Sequence, residues 1–212
     1  MNHILAKKID PTKTVLGTII LAAGLLGLLY GPSLLSIFSL TVTGLIGIGV
    51  VYGKKELRNI FSKPIAPVKN ILKYFFINLV VSFPVSIILQ YILKWDLTSN
   101  PVNEAFSPLL FLILPVMLLG EELFSIYFLS IFSSKFSLPV SSILSAIIFG
   151  LIHYSTYNNG NIFHTLVHIL LIQGVARLVF NQAVIKSNSI LTSWGVHVLF
   201  DFSAILISVF LS

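Results

Sequence analysis

Seven apolar stretches constrain the fold more than any other feature, because each is close to the 17–25 residues a helix needs to cross a hydrocarbon core. They run roughly from Thr14 to Tyr30, Ser33 to Tyr52, Tyr74 to Leu93, Phe106 to Phe132, Leu138 to Tyr154, Ile162 to Val184 and Ile190 to Leu211. Lipid offers no partners for backbone N–H and C=O groups, so segments of this kind close their hydrogen bonds internally as helices. The chain is 56% hydrophobic and 9% charged, against about 45–50% and about 25% in soluble domains. No polar block is left that could fold in water. The expected fold is all-α, a polytopic transmembrane helical bundle of about seven spans. Residues 1–212 form a single membrane domain, with scaffold helices in 1–105 and a polar-centred core in 106–212.

The formal charge of +6 would suit nucleic acid if the basic residues clustered on one face, but they stand at the ends of apolar segments, where they orient a membrane protein. With the N-terminus cytoplasmic, every Lys and Arg except Lys94 falls in or beside an inside segment. The expected non-peptide partner is therefore the lipid bilayer and not nucleic acid. The basic stretch from Gly53 to Lys73 is the main cytoplasmic loop. Residues 1–13 are basic and lead into an apolar run with no small-residue cleavage site before Gly31-Pro32, which predicts a retained first helix. Glycines at 17, 24 and 27 and at 44, 47 and 49 suit close packing of the first two helices. Pro84 and Pro115 interrupt later ones. The absence of cysteine excludes disulfides, thiolate ligands and a thiol nucleophile.

Against this background two adjacent carboxylates, Glu121 and Glu122, stand inside an apolar run. Charged groups at membrane depth are costly and mark functional sites. Adjacent helical positions differ by about 100°, so one glutamate is expected to face the reacting water and the other a neighbouring helix. His153, His164, His168, Arg177, His197 and Asp201 are the other ionisable residues at depth, all in the last four helices. Phe149 and His153 share a helix face, as do His197 and Asp201. Asp201 is placed to accept from one ring nitrogen of His197 and fix its tautomer, leaving the other nitrogen for a substrate, a water or a metal. His164 and His168, also one turn apart, form a second candidate for metal binding. Hydrolysis by activated water requires a base and a donor for the oxyanion. Glu121 or Glu122 with His153 fits the first need, and His197 with Asp201 the second.

These residues, in this order, resemble the CPBP or Abi family of intramembrane proteases, which includes the type II CAAX prenyl endopeptidases and bacterial proteins of bacteriocin processing and self-immunity. The family pattern is EExxxR, FxxxH and HxxxN or HxxxD on successive membrane helices. Glu121-Glu122, Phe149 with His153, and His197 with Asp201 match it. The likeness covers about Phe106 to Phe202, with Gln173-Gly174 to Asn181 resembling the intervening glycine-containing helix. In one place the chain departs: Ile126 stands where the first motif has arginine, a charge that Arg177 could replace from another helix. The resemblance implies an intramembrane endopeptidase acting on a peptide or lipid-modified peptide in a bacterial cell membrane, for peptide maturation or bacteriocin self-immunity. It implies Glu121 as the base, His153 assisting, and His197 with Asp201 stabilising the oxyanion. It leaves both a divalent metal and a metal-free mechanism open. The alternatives are a non-catalytic membrane partner or immunity protein that keeps the fold, and a metal or proton transporter. Counting residues from the inner helix ends, at ~1.5 Å each, puts His153 roughly 6 Å higher in the membrane than Glu121.

Overall fold

The computed structural model describes residues 4–5, 7–100 and 107–211, and among these the regular structure is entirely helical. Helix α1 (Pro11–Tyr30) starts where Asp10 accepts from Lys13 N at 3.1 Å and Pro11 pre-sets the first turn. Gly31-Pro32 ends it, and α2 (Ser33–Tyr52) returns to Gly53, whose φ of 86° only glycine adopts without strain. The two helices pack closely, as their glycines predict. A Cβ at Gly24 would run into Thr43 Oγ1, and one at Gly27 would come to 2.8 Å from Ser39 Cβ. A short helix, α3 (Lys54–Asn59), follows in what the sequence presents as a loop.

Helix α4 (Pro67–Ile87) and the π turn Ile88–Ile92 form one apolar rod of 26 residues. It begins seven positions before the expected Tyr74, because Pro67 starts the helix and Lys69 and Lys73 sit on its exposed face. Helix α5 (Leu110–Ser133) carries the paired glutamates; the expected start at Phe106 lies outside the described residues. Half of its apolar window is enclosed, more than in any other span, which makes it the central helix. Around its Pro115, Trp194 Nε1 donates to Pro115 O at 2.8 Å and Thr41 Oγ1 to Val116 O at 2.7 Å.

Helix α6 (Leu138–Ile152) has 15 residues, about 22 Å at ~1.5 Å per residue, short of the ~30 Å core. It ends at Ile152, two residues before the expected Tyr154, with His153 as its C-cap, and the four-residue α7 (Tyr154–Tyr157) follows. Next comes a run formed by α8 (Ile162–Ile169), a π turn (Leu170–Gly174) and α9 (Val175–Ser187), then α10 (Ile190–Leu211). Asn188, in the left-handed region at φ 60°, turns the chain between the last two. Among the described residues six helical runs are thus long and apolar enough to cross a membrane, and α6 is a shorter apolar helix. The chain is a membrane bundle of about seven spans, as its apolar pattern predicts.

Candidate active site

The two glutamates of α5 diverge, as their 100° offset requires. Glu122 is fully buried and forms a bidentate pair with Arg177 of α9, Oε1 to Nη1 at 2.7 Å and Oε2 to Nη2 at 3.0 Å. Two parallel N–H···O bonds of this kind fix geometry as well as charge. Each nitrogen of the guanidinium makes a hydrogen bond. Its Nε donates to Asn181 Oδ1 at 3.1 Å, and the rings of Phe149 and Phe180 lie 5.4 and 5.1 Å from its carbon. Asn181 then donates to Ser142 Oγ of α6 at 3.0 Å. A chain of buried polar groups therefore ties α5, α9 and α6 together with each charge paired.

Ile126, at the motif's arginine position, is completely buried in an apolar cluster with Leu21, Ile48 and Leu123. The cation next to the glutamates comes instead from Arg177. Position 126 shares a face of α5 with Glu122, but so does a residue reaching in from α9, and in this chain the second route is taken.

Glu122 Oε1 also accepts from His197 Nδ1 at 2.9 Å. A carboxylate already paired with a guanidinium can only accept, so Nδ1 carries the proton and Nε2 is left to face outward. This corrects the expectation for Asp201. Its Oδ1 is 3.9 Å from His197 Nε2, beyond hydrogen-bond range, and the tautomer is set by Glu122. The i,i+4 spacing brings Asp201 alongside the ring, but the ring's other edge is turned toward α5.

His153 is prepared in the same way. It ends α6, and its Nδ1 lies 2.7 Å from Phe149 O, the last-turn carbonyl one turn earlier. A carbonyl cannot donate, so here too Nδ1 carries the proton and Nε2 is the free nitrogen. The two free nitrogens converge on one atom: Glu121 Oε2 is 3.9 Å from His153 Nε2 and 3.9 Å from His197 Nε2. The 6 Å offset expected from residue counting thus does not keep the two side chains apart. Counting assumes straight, parallel helices that begin in one plane, whereas α6 is short and ends at His153.

Glu121, His153, His197 and Asp201 line one cavity of about 350 Å³. Its other walls include Tyr157, His168, Gln173 and the segment from Leu97 to Asn100. That segment is held down by Trp95, stacked on His164 at 4.0 Å between ring centres, and by Asn159 Nδ2, which donates to Asp96 O. His164 and His168 consequently have different surroundings. The first packs on Trp95, and the second lies against Tyr157 with ring centres 4.9 Å apart. Among the described residues no three His, Asp or Glu side chains have the arrangement of a metal site.

Sequence reasoning alone passed over Asn181, Ser142, Tyr157 and the cavity-facing side of Gln173. Two of these had a signal. Asn181 follows Arg177 by one helical turn, and Tyr157 follows His153 at the same spacing, which would have marked both as neighbours of charged groups. The π turn before Arg177 had none. Such bulges change the phase of a helix and recur at functional sites.

Fold and site together define a polytopic membrane protein with a carboxylate and imidazole centre set inside its helix bundle. Residues 103–203 match the family model described as Type II CAAX prenyl endopeptidase Rce1-like, and this part of the chain is an Rce1-like domain of the CPBP family, in agreement with the motifs. No curated protein and no solved structure matches the chain.

Proposed function

We propose that the protein is an intramembrane endopeptidase that hydrolyses a peptide or lipid-modified peptide with water activated by Glu121. The observation that carries this reading is the approach of Glu121 Oε2 to within 3.9 Å of the free Nε2 atoms of both His153 and His197, on the wall of a cavity. Glu122 is locked to Arg177, which leaves Glu121 as the member of the glutamate pair able to take a proton. A water beside it gives one proton to Glu121 while directing the other at His153 Nε2, and its oxygen attacks the scissile carbonyl. His197, carrying a second proton on Nε2, donates to the developing oxyanion, with the carboxylates of Glu122 and Asp201 favouring that charged ring. The proton held by Glu121 passes to the departing nitrogen, the second water proton follows it by way of His153 Nε2, and the products are a carboxylate and a protonated amine. The family description favours a substrate carrying a prenyl group near its C-terminus. Peptide maturation and bacteriocin self-immunity are the biological settings that this activity serves.

The test is cleavage by Glu121→Ala, His153→Ala and His197→Ala variants that still accumulate in the membrane. Each is expected to lose activity, by about 10²-fold or more for a general base or its partner. Normal turnover by the Glu121 variant would remove the basis of the mechanism.

A further inference from the structure

The ionisable groups that meet at Glu121 are carboxylates and imidazoles whose ring protons are already engaged. His153 has its ring proton on the Phe149 carbonyl and His197 has its own on Glu122, so each neutral ring presents a lone pair to the cavity. Glu121 and Asp201 present carboxylate oxygens to the same space. Peptide hydrolysis puts negative charge on the carbonyl oxygen, and none of these groups can donate to it without first gaining a proton.

Tyr157 is the cavity-lining residue one helical turn beyond His153, with ring centres 6.2 Å apart. Its side chain is buried, and its oxygen accepts from Gln173 Nε2 at 2.9 Å. Gln173 therefore occupies an acceptor position of the phenol oxygen and does not take its proton. Burial, reinforced by the charges of Asp201 and Glu121, pushes the phenol well above its ordinary range. It stays protonated throughout the physiological range.

We propose that the Tyr157 hydroxyl donates a hydrogen bond to the oxygen of the scissile carbonyl as it becomes an oxyanion, a role that rests on the hydrolase reading above. Gln173 is then a positioning residue, turning the hydroxyl proton away from itself and toward the substrate. A donor of this kind does not titrate, so it complements His197, which donates only when charged.

The test uses the full chain in liposomes and an internally quenched peptide bearing a farnesylated CAAX terminus, together with a phosphinate analogue of that peptide as a mimic of the tetrahedral state. Tyr157→Phe is expected to lower kcat about 100-fold, the effect of removing one oxyanion donor, with KM within threefold and the shape of the pH profile unchanged. Affinity for the phosphinate should fall by a similar factor, while affinity for the uncleaved peptide, measured in the Glu121→Gln background, should not. If Tyr157→Phe does not accumulate, Tyr157→Phe with Gln173→Leu replaces it, since that pair leaves no orphaned amide. Retention of kcat within threefold by the Tyr157 variant, with Glu121→Gln inactive, would overturn the assignment and leave the hydrolase reading standing. Wild-type cleavage by Glu121→Gln would overturn both.

Discussion

Replacing Arg177 with methionine keeps most of the volume of the side chain and deletes the guanidinium. Glu122 then loses both of its short bonds, at 2.7 and 3.0 Å, and keeps only the 2.9 Å bond from His197. Asn181 loses its donor at the same time. Leaving one member of a fully buried pair uncompensated costs about 3–5 kcal/mol. For a chain of this size each kcal/mol lowers the midpoint by roughly 2–4 °C, so thermal unfolding in detergent should show a drop of about 6–20 °C. The informative comparison is Arg177→Met combined with Glu122→Leu. Removing both charges removes the desolvation cost with them, and apolar replacement of a buried pair is often neutral or better. The double variant should therefore be more stable than the single arginine variant, with a coupling of about 3 kcal/mol. Both variants should lose cleavage, because His197 needs Glu122 held as a fixed acceptor. Simple additivity, or a single-variant cost under about 1 kcal/mol, would refute the idea that the pair acts as a structural unit.

Restoring the family arginine by Ile126→Arg should harm the protein. The site is completely buried, and Glu122 already has its cation, so the new charge goes unpaired; an unfolding midpoint at or above that of the wild type would contradict this. The expected topology, with the 53–73 loop inside and Lys94 outside, is testable by cysteine scanning, since the chain has no cysteine of its own. Lys94→Cys should react with an impermeant maleimide in intact cells and Lys63→Cys only after permeabilisation. The reverse pattern would invert the orientation.

Much of this protein is determined by its sequence alone. The length and apolarity of the segments require a helical membrane bundle, because lipid accepts no unpaired backbone, and the cost of burying Glu121, Glu122, His153, His197 and Asp201 marks them as the candidate site. Spacing along single helices correctly associates Phe149 with His153. It fails where the deciding partner lies on another helix. His197 takes its fixed proton acceptor from Glu122 of α5, 75 positions away, and not from Asp201 one turn along its own helix. The cation paired with Glu122 arrives from α9, and the motif position Ile126 is free to be apolar. The separate fates of the two glutamates, one locked and one facing the cavity, depend on how α5, α6, α9 and α10 are rotated and how deep each sits. Local sequence carries helical phase and hydropathy. Relative rotation and depth are set by packing between helices, and the short α6, the π turns and the glycine contacts of α1 with α2 are where that packing is decided.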